Sequence, residues 1–282
     1  MITKKQIRVS KPTTPALRKT SYALGEKLSK TRPIKSLTTG FQRAVGRDKS
    51  GRISARHKGG GAKRLYRKIS TLELCGVAPF EVLRFEYDPN RSAHIALIKN
   101  SEGKLFYILA PIETKVGHKL EVGEKAPVAP GNRLPIANIP TGLAVHSLEI
   151  TPGSRGKIVR SAGAKAIIMA HEGDYALVKL PSGEIRRFHG KCLASVGVLS
   201  NDAHNAIRVG KAGRKRHMGI RPTVRGLAMH PAAHPHGGGE NSPSIGMKAP
   251  KTPWGAKALG KKTRRRFDRG AFIVRRRAKK RR

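Results

Sequence analysis

The sequence predicts an all-β body of two small barrels carried between long, irregular, basic extensions. Three observations predict it. Short β-type runs separated by turn signals fill residues 61–200. No strand–helix–strand alternation appears, which argues against a parallel α/β fold. The charge is unevenly placed: of a formal net +42, residues 1–60 hold 16 basic and 2 acidic groups, and residues 201–282 hold 23 and 3.

Residues 1–60 read as an extended arm. Pro12, Pro15 and Pro33, many Ser and Thr, and a Lys or Arg every few positions leave too little apolar surface to offset chain entropy. The arm is expected to be disordered alone and ordered on its partner. The first barrel is expected over 61–125, from L-Y-R-K-I-S-T-L-E-L, F-E-V-L-R-F-E-Y-D, A-H-I-A-L-I-K-N and K-L-F-Y-I-L-A-P. Its turns are E-Y-D-P-N-R (86–91) and N-S-E-G (100–103).

The second barrel is expected over 126–200. A turn-rich stretch, 130–142, holds at most one helical turn. The runs H-S-L-E-I, K-I-V-R, A-I-I-M-A, Y-A-L-V-K-L and I-R-R-F follow as a meander, the last three joined by H-E-G-D and P-S-G-E. Beyond it, N-D-A-H-N-A-I-R is expected as a short helix capped by Asn201 or Asp202. The rest of 201–282 returns to the character of an arm: from Gly226 to Gly260, seven residues are Gly and five are Pro.

Composition bounds the function. A chain with a sequence pI near 11.4 gains nothing from its self-repulsion, whereas a polyphosphate partner neutralises it through counterion release. The partner is read as nucleic acid. Cys75 and Cys192 are far apart, with no CxxC or His/Cys ladder, and read as core fillers in a reducing compartment. No apolar stretch is long enough for a membrane span. The N-terminal residues lack the apolar core of a signal peptide. Aromatic residues make up only 5% of the chain, too few for a large stacking platform.

Two segments carry candidate chemistry. In Arg56-His57-Lys58-Gly59-Gly60-Gly61-Ala62-Lys63-Arg64-Leu65-Tyr66-Arg67, glycines permit close backbone approach to a phosphate. The flanking cations supply charge-assisted contacts, and Tyr66 offers a stacking face. The same glycines suit a flexible linker, and the spacing is not that of a nucleotide P-loop. The second segment, Arg221 to Gly239, has three histidines (His230, His234, His236) and then Gly237, Gly238 and Gly239. A metal site would want an acidic or thiolate partner, and only Glu240 is near. A general base would want an orienting carboxylate, and Ala232 and Ala233 precede His234. The imidazoles are therefore read as hydrogen-bonding or stacking on RNA.

The motifs E-Y-D-P-N-R-S-A-H-I-A-L, P-G-N-R-L-P-I-A-N-I-P-T-G, G-I-R-P-T-V-R-G-L-A-M-H-P, H-P-H-G-G-G-E, P-W-G and F-I-V-R-R-R resemble, in order and over nearly the whole chain, the bacterial form of ribosomal protein L-two. The resemblance implies an OB-fold barrel followed by an SH3-like barrel. It also implies a C-terminal extension threaded into large-subunit rRNA towards the peptidyl transferase centre, and a role in subunit association and tRNA placement. His234 matches the family histidine once proposed to assist peptide bond formation; direct catalytic assistance by it is the alternative to a purely structural role. Where the family typically shows M-N-P-V-D-H-P-H-G-G-G, this chain has M-H-P-A-A-H-P-H-G-G-G, so His230 replaces an asparagine and Ala233 an aspartate.

On this reading further rRNA contacts are expected from Arg52, Arg91, Arg155, Arg160, Lys211, Arg214, Arg216, Arg221, Arg225, Trp254, Lys261, Lys262, Arg264 and Arg265. The expected partners are large-subunit rRNA, the small subunit across the interface, neighbouring ribosomal proteins and, indirectly, tRNA, with no membrane. No cofactor is expected, and Mg²⁺ only through rRNA phosphates. The expected location is the ribosome of a cytoplasm or of an organelle of bacterial descent.

Overall fold

A computed structural model describes residues 7–24, 28–43, 45–240, 244–261 and 271–277. The described residues are almost entirely strand and loop, and the chain divides into two compact units. One comprises Met1–Gln42, Lys63–Lys211 and Asp268–Arg282; the other comprises Arg43–Ala62 and Ala212–Phe267.

In the first unit, β1 (Ile7–Val9) and β2 (Ser21–Ala23) form a hairpin, and β3 (Thr38–Gly40) pairs with β4 (Leu65–Arg67). The described parts of the N-terminal arm thus have hydrogen-bond partners within the chain. The Ser21 N–H donates to the Arg208 carbonyl at 3.0 Å, and Arg208 N–H returns to Ser21 Oγ at 2.8 Å. The Ile34 N–H donates to the Tyr107 hydroxyl at 3.2 Å.

A four-stranded antiparallel sheet follows, with β5 (Phe80–Glu86), β6 (Ile95–Lys99), β7 (Leu105–Leu109) and β8 (Lys119–Leu120) in the order β7-β6-β5-β8. The unbroken apolar run of β6 has a direct cause: both its faces are covered. Ala96 and Ile98 face a core with Phe80, Val82 and Ile108, while Ile95 and Leu97 pack with Tyr107 on the other side. A register shift between Val82 and Arg84 curls the sheet.

A second, larger sheet is built from β9 (Arg133–Pro135), β10 (Ala144–His146), β11 (Ala166–Glu172), β12 (Tyr175–Lys179), β13 (Ile185–His189), β14 (Leu193–Val196) and β15 (Ile273–Arg275). Their order is β15-β13-β12-β11-β10-β14-β9. The inward residues Val145, Ala166, Ile168, Ala176, Val178, Phe188, Ala194 and Val196 make its core. The β11–β12–β13 meander turns where H-E-G-D and P-S-G-E predict.

The remainder of this sheet differs from expectation. The runs H-S-L-E-I and K-I-V-R do not form a strand pair: they meet at the isolated bridge Leu148↔Ile158, with the Ser147 N–H donating to the Val159 carbonyl at 3.0 Å and the Lys157 N–H to the Leu148 carbonyl at 2.9 Å. Ser147 at φ 48 and Val159 at φ 55 break the extended backbone on both sides. The strand at that end is β10, which starts two residues earlier and ends at His146. β15 adds an edge strand from the C-terminal extension. Asp202–Ala206 is a 3₁₀ turn preceded by Asn201 in the left-handed region, with no side-chain cap. The Asn201 amide instead donates to the Ser92 carbonyl at 2.6 Å.

Between the two sheets lies a charge that the pattern of basic residues hides. Arg133 on β9 is 1% exposed. Its Nη1 donates to the Ser147 carbonyl at 2.8 Å, and Nη2 approaches Glu149 Oε1 at 3.4 Å. Its Nε lies 2.7 Å from Glu73 Oε2, an ion pair whose angles fall short of a hydrogen bond. Glu73 sits on the 3₁₀ turn Leu72–Leu74 that flanks the first sheet. Glu149, also 1% exposed, accepts N–H bonds from Gly153, Arg155 and Leu193 at 3.0–3.1 Å. Such a carboxylate is solvated by backbone, which is what permits its burial.

In the second unit the one helix described is α1 (Ala212–His217), six residues long. The segment 57–62 runs against the chain that leaves it. Gly59 N–H donates to the Gly219 carbonyl and Ala62 N–H to the His217 carbonyl, both at 2.9 Å, and Lys58 bridges to Ile220.

Candidate nucleic-acid interface

The basic residues singled out from the sequence lie on both units. They fall into a group on the first unit, two groups on the second, and scattered positions.

On the first unit, Arg64, Tyr66, Arg67, Arg91 and Arg160 gather around the loop 88–91. Asp88, fully buried, accepts the Asn90 N–H at 2.8 Å and pairs with Arg91 Nε at 2.6 Å. Arg64 Nη1 donates to the Pro89 carbonyl at 2.6 Å. Arg67 is buried and donates to the Leu65 carbonyl at 2.8 Å. Arg160 is half-buried, and its pKa is lowered by burial first and by the Arg91 charge second. Tyr66 remains 41% exposed, with its edge contact to Phe41 at 5.9 Å between ring centroids. Several of these cations are thus spent on holding the loop, a use that the sequence could not separate from phosphate contact. Lys63 is exposed. Arg155 stands apart, at φ 63, with its N–H on Glu149.

In the second unit, the glycine run 59–61 and the segment 217–221 meet back to back. Gly61 is at φ +65, and a Cβ there would lie 2.8 Å from the Gly219 nitrogen and the His217 carbonyl oxygen. Arg43 Nη1 donates to the Gly60 carbonyl at 2.7 Å. Close backbone packing within the protein accounts for this glycine before any partner is considered. Around the turn, Arg47, Arg56, His57, Lys58 and Arg221 line a hollow of about 390 Å³. Arg56 Cζ stands 5.6 Å from the centroid of Trp254. Arg52, Arg216, Arg221, Arg225 and Lys261 are exposed, and Arg214 is half-buried. In the first unit Lys211 is exposed too. Lys262, Arg264 and Arg265 lie outside the described residues.

The second group in this unit is the histidine loop, and each imidazole has internal work. His230 Nδ1 accepts the Ala232 N–H at 3.2 Å, His234 Nδ1 accepts the His236 N–H at 3.0 Å, and His236 Nε2 accepts the Lys251 N–H at 2.9 Å. His234 is 8% exposed and packs edge-on to His236, with ring centroids 5.0 Å apart. A Cβ on Gly226 would meet its ring at 2.5 Å, and one on Gly237 would meet the His230 carbonyl oxygen at 2.5 Å. Gly238 and Gly239 take left-handed φ values of 86 and 90. Among the described residues, no group of three or more His, Cys, Asp or Glu side chains is placed to hold a metal ion. None of their helices is long and apolar enough to cross a membrane.

Sequence reasoning missed Arg133, Glu149 and the Arg56–Trp254 pair. An acid inside the apolar run S-L-E-I, in a chain with only 17 acids, was the available signal for Glu149. Nothing distinguishes Arg133 in sequence from the exposed arginines of the chain.

An acid-poor array of exposed Arg and Lys on irregular loops, in a chain that also holds two curled sheets, defines an RNA-binding protein. Comparison with known families makes that class specific. Residues 34–122 match Ribosomal Proteins L2, RNA binding N-terminal domain, and residues 129–255 match Ribosomal Proteins L2, C-terminal domain. The chain belongs to the ribosomal protein L2 family, structural RNA-binding proteins of the large ribosomal subunit. The first sheet is accordingly the OB-fold of the family and the second its SH3-like barrel.

Proposed function

We propose that the two barrels anchor the chain on large-subunit rRNA while the second unit and the terminal extensions thread into it. On this reading the loop 221–239 is moulded by rRNA beside the peptidyl transferase centre, and the protein supports subunit association and tRNA placement without taking part in bond formation. Mg²⁺ enters only through rRNA phosphates, and the domain divisions at residues 60, 125 and 200 mark arm, barrel, barrel and extension.

The observation that carries the structural role is the engagement of His234. Its Nδ1 accepts a backbone N–H of its own loop, its ring is buried against Gly226, and among the described residues no carboxylate is hydrogen-bonded to it. A general base needs a free acceptor nitrogen aimed at the proton it takes. In the neutral ring the proton then sits on Nε2, which leaves a donor and not a base on the other side.

His234→Gln tests this. Subunits carrying the variant are expected to assemble more slowly, or with a locally altered loop, and to retain single-turnover peptide transfer. Normal assembly with transfer lowered by the ~10²–10⁴ of a lost general base would overturn the reading. Sedimentation tests the ribosomal role more broadly: the chain should travel with large subunits, and recovery mainly in light fractions would refute it.

A further inference from the structure

We propose that Trp254 and the hollow beside Arg56 form a site for one unpaired nucleotide of RNA, the base stacked on the indole and its phosphate held by Arg47, Lys58 and Arg221. The proposal rests on the RNA-binding reading above and assigns a chemistry to one place within it.

The chain has a single tryptophan, and it is left 81% exposed. An indole buries more apolar area than any other side chain, so an uncovered one on a charged loop is an open contact surface. Arg56 stands over the ring at 5.6 Å and polarises it from one side. The rest of the ring faces solvent. A nucleobase fits such a surface because every base has a π-face, and stacking requires no particular hydrogen-bond pattern.

The second half of the site is the hollow of about 390 Å³, which shares Arg56 with the stacking pair. Its turn is fixed by His57, held at φ 63, whose carbonyl accepts the Arg221 N–H at 3.0 Å. The surrounding pairing holds this left-handed residue in place. Charge selects the ligand. The unit formed by Arg43–Ala62 and Ala212–Phe267 has 19 Lys and Arg against two acids, Asp48 and Glu240. The Asp48 Oδ1 is already occupied by N–H groups of Ser50 and Arg52 and by the Ser50 hydroxyl. An aromatic face edged by cations, beside a hollow whose lining holds no carboxylate, suits a base joined to a phosphate. In a duplex the base faces are already stacked, so the ligand is an unpaired residue.

Because Trp254 is the sole tryptophan, intrinsic fluorescence reads this site alone. The full chain is titrated with a short riboadenylate oligomer, an abasic ribose–phosphate oligomer of equal length, and a fully paired RNA duplex, with binding followed separately by filter retention. The riboadenylate is expected to quench the emission, whereas the abasic oligomer and the duplex bind without comparable quenching. Trp254→Ala should weaken riboadenylate binding about 5- to 150-fold, the span of one lost stack, with the salt slope unchanged and abasic binding intact. Trp254→Phe should recover most of the loss. Lys58→Ala or Arg221→Ala should instead lower the salt slope by about 0.7 for the single strand. Riboadenylate binding without quenching, equal quenching by the abasic oligomer, or unchanged affinity of Trp254→Ala would each overturn the stacking site and leave RNA binding standing. Failure to retain any of the three RNAs would overturn the RNA-binding reading itself.

Discussion

Replacing Arg133 with methionine removes one guanidinium and leaves two carboxylates behind. Glu149 is as deeply buried as Arg133, whereas the Glu73 side chain is 20% exposed. Removing one partner of a buried ion pair costs about 3–5 kcal/mol, because the remaining charge is left uncompensated. Here the lower end applies: Glu149 keeps its three backbone N–H donors, and its contact with Arg133 is long at 3.4 Å. We therefore expect a loss of ~3 kcal/mol. Over the roughly 150 residues that carry both barrels, this lowers the melting temperature by about 6–12 °C.

The assay is thermal unfolding of the full chain followed by circular dichroism, with a double-mutant cycle. Arg133→Met combined with Glu149→Gln should be less destabilised than the two single changes added together, by at least ~1 kcal/mol, since the second change removes the orphaned charge. Glu73→Gln alone should cost ~1 kcal/mol or less, because water already reaches that carboxylate. A melting temperature for Arg133→Met within about 2 °C of the parent would refute the argument that this pair joins the barrels.

Three further outcomes are expected. His146 is buried, and desolvation first and the Arg133 charge second push its pKa down to about 3. The unfolded chain binds a proton near the ordinary 6.5 while the folded chain does not, so stability falls as pH drops from about 6.5 towards 3. Urea titrations should show ~2 kcal/mol lost between pH 7 and pH 5, with His94, shifted in the same direction by burial, adding to it. His146→Phe should flatten the dependence, and an equal slope in the variant would count against it. Burial raises the Cys75 thiol to about 12 and the Cys192 thiol to about 11, helped by the charges of Glu73 and Glu149 respectively. A thiol-disulfide reagent at pH 8 should therefore find no reactive thiol in the native chain and two after denaturation. His230→Asn should preserve amide protection of Ala232 in hydrogen exchange and His230→Ala should lose it, because either Asn or His can accept that N–H; equal loss in both would refute the capping role.

The parts of the fold legible in the sequence are those whose causes are local. β6, β7 and the β11–β13 meander are apolar or alternating runs closed by turn residues, and they lie where the pattern predicts. β9 was hidden because Leu134 is flanked by Arg133 and Pro135, which read as a turn. β14 was hidden because Leu-Ala-Ser-Val is short and small-chained. Both exist through pairing with each other, and β14 pairs with β10 as well, across many residues; no local pattern encodes that. The loss of the H-S-L-E-I and K-I-V-R strands has an equally hidden cause. The two segments exchange a few backbone hydrogen bonds around Leu148 and Ile158, and the left-handed Ser147 and Val159 stop the ladder there. The site was legible by residue type and not by role. Arg67, Arg91 and Arg133 look like Arg56 and Arg221 in sequence, yet the first three neutralise or brace the protein's own groups.

The histidine loop shows why such roles follow from the partner's charge. His230-Pro231-Ala232 and His234-Pro235-His236 are the same turn twice: the Nδ1 of residue i accepts the N–H of residue i+2. Aspartate and asparagine commonly make this bond in loops. The second unit has aspartate in that position once, at Asp48. An aspartate in the loop would set a negative charge against phosphates, at a cost that low local dielectric increases. A neutral imidazole accepts the same N–H without that repulsion, and the ring of His234 also fills the space against Gly226 that a smaller amide would leave open. The asparagine typical of the family at position 230 fits the same logic, being an uncharged acceptor of the same reach. The loss of the aspartate at position 233 then removes charge from the loop and no hydrogen bond the turns require, because Ala233 N–H is already satisfied by the His230 carbonyl at 2.9 Å. The histidines of this segment are thus explained as turn-forming acceptors compatible with a polyanion.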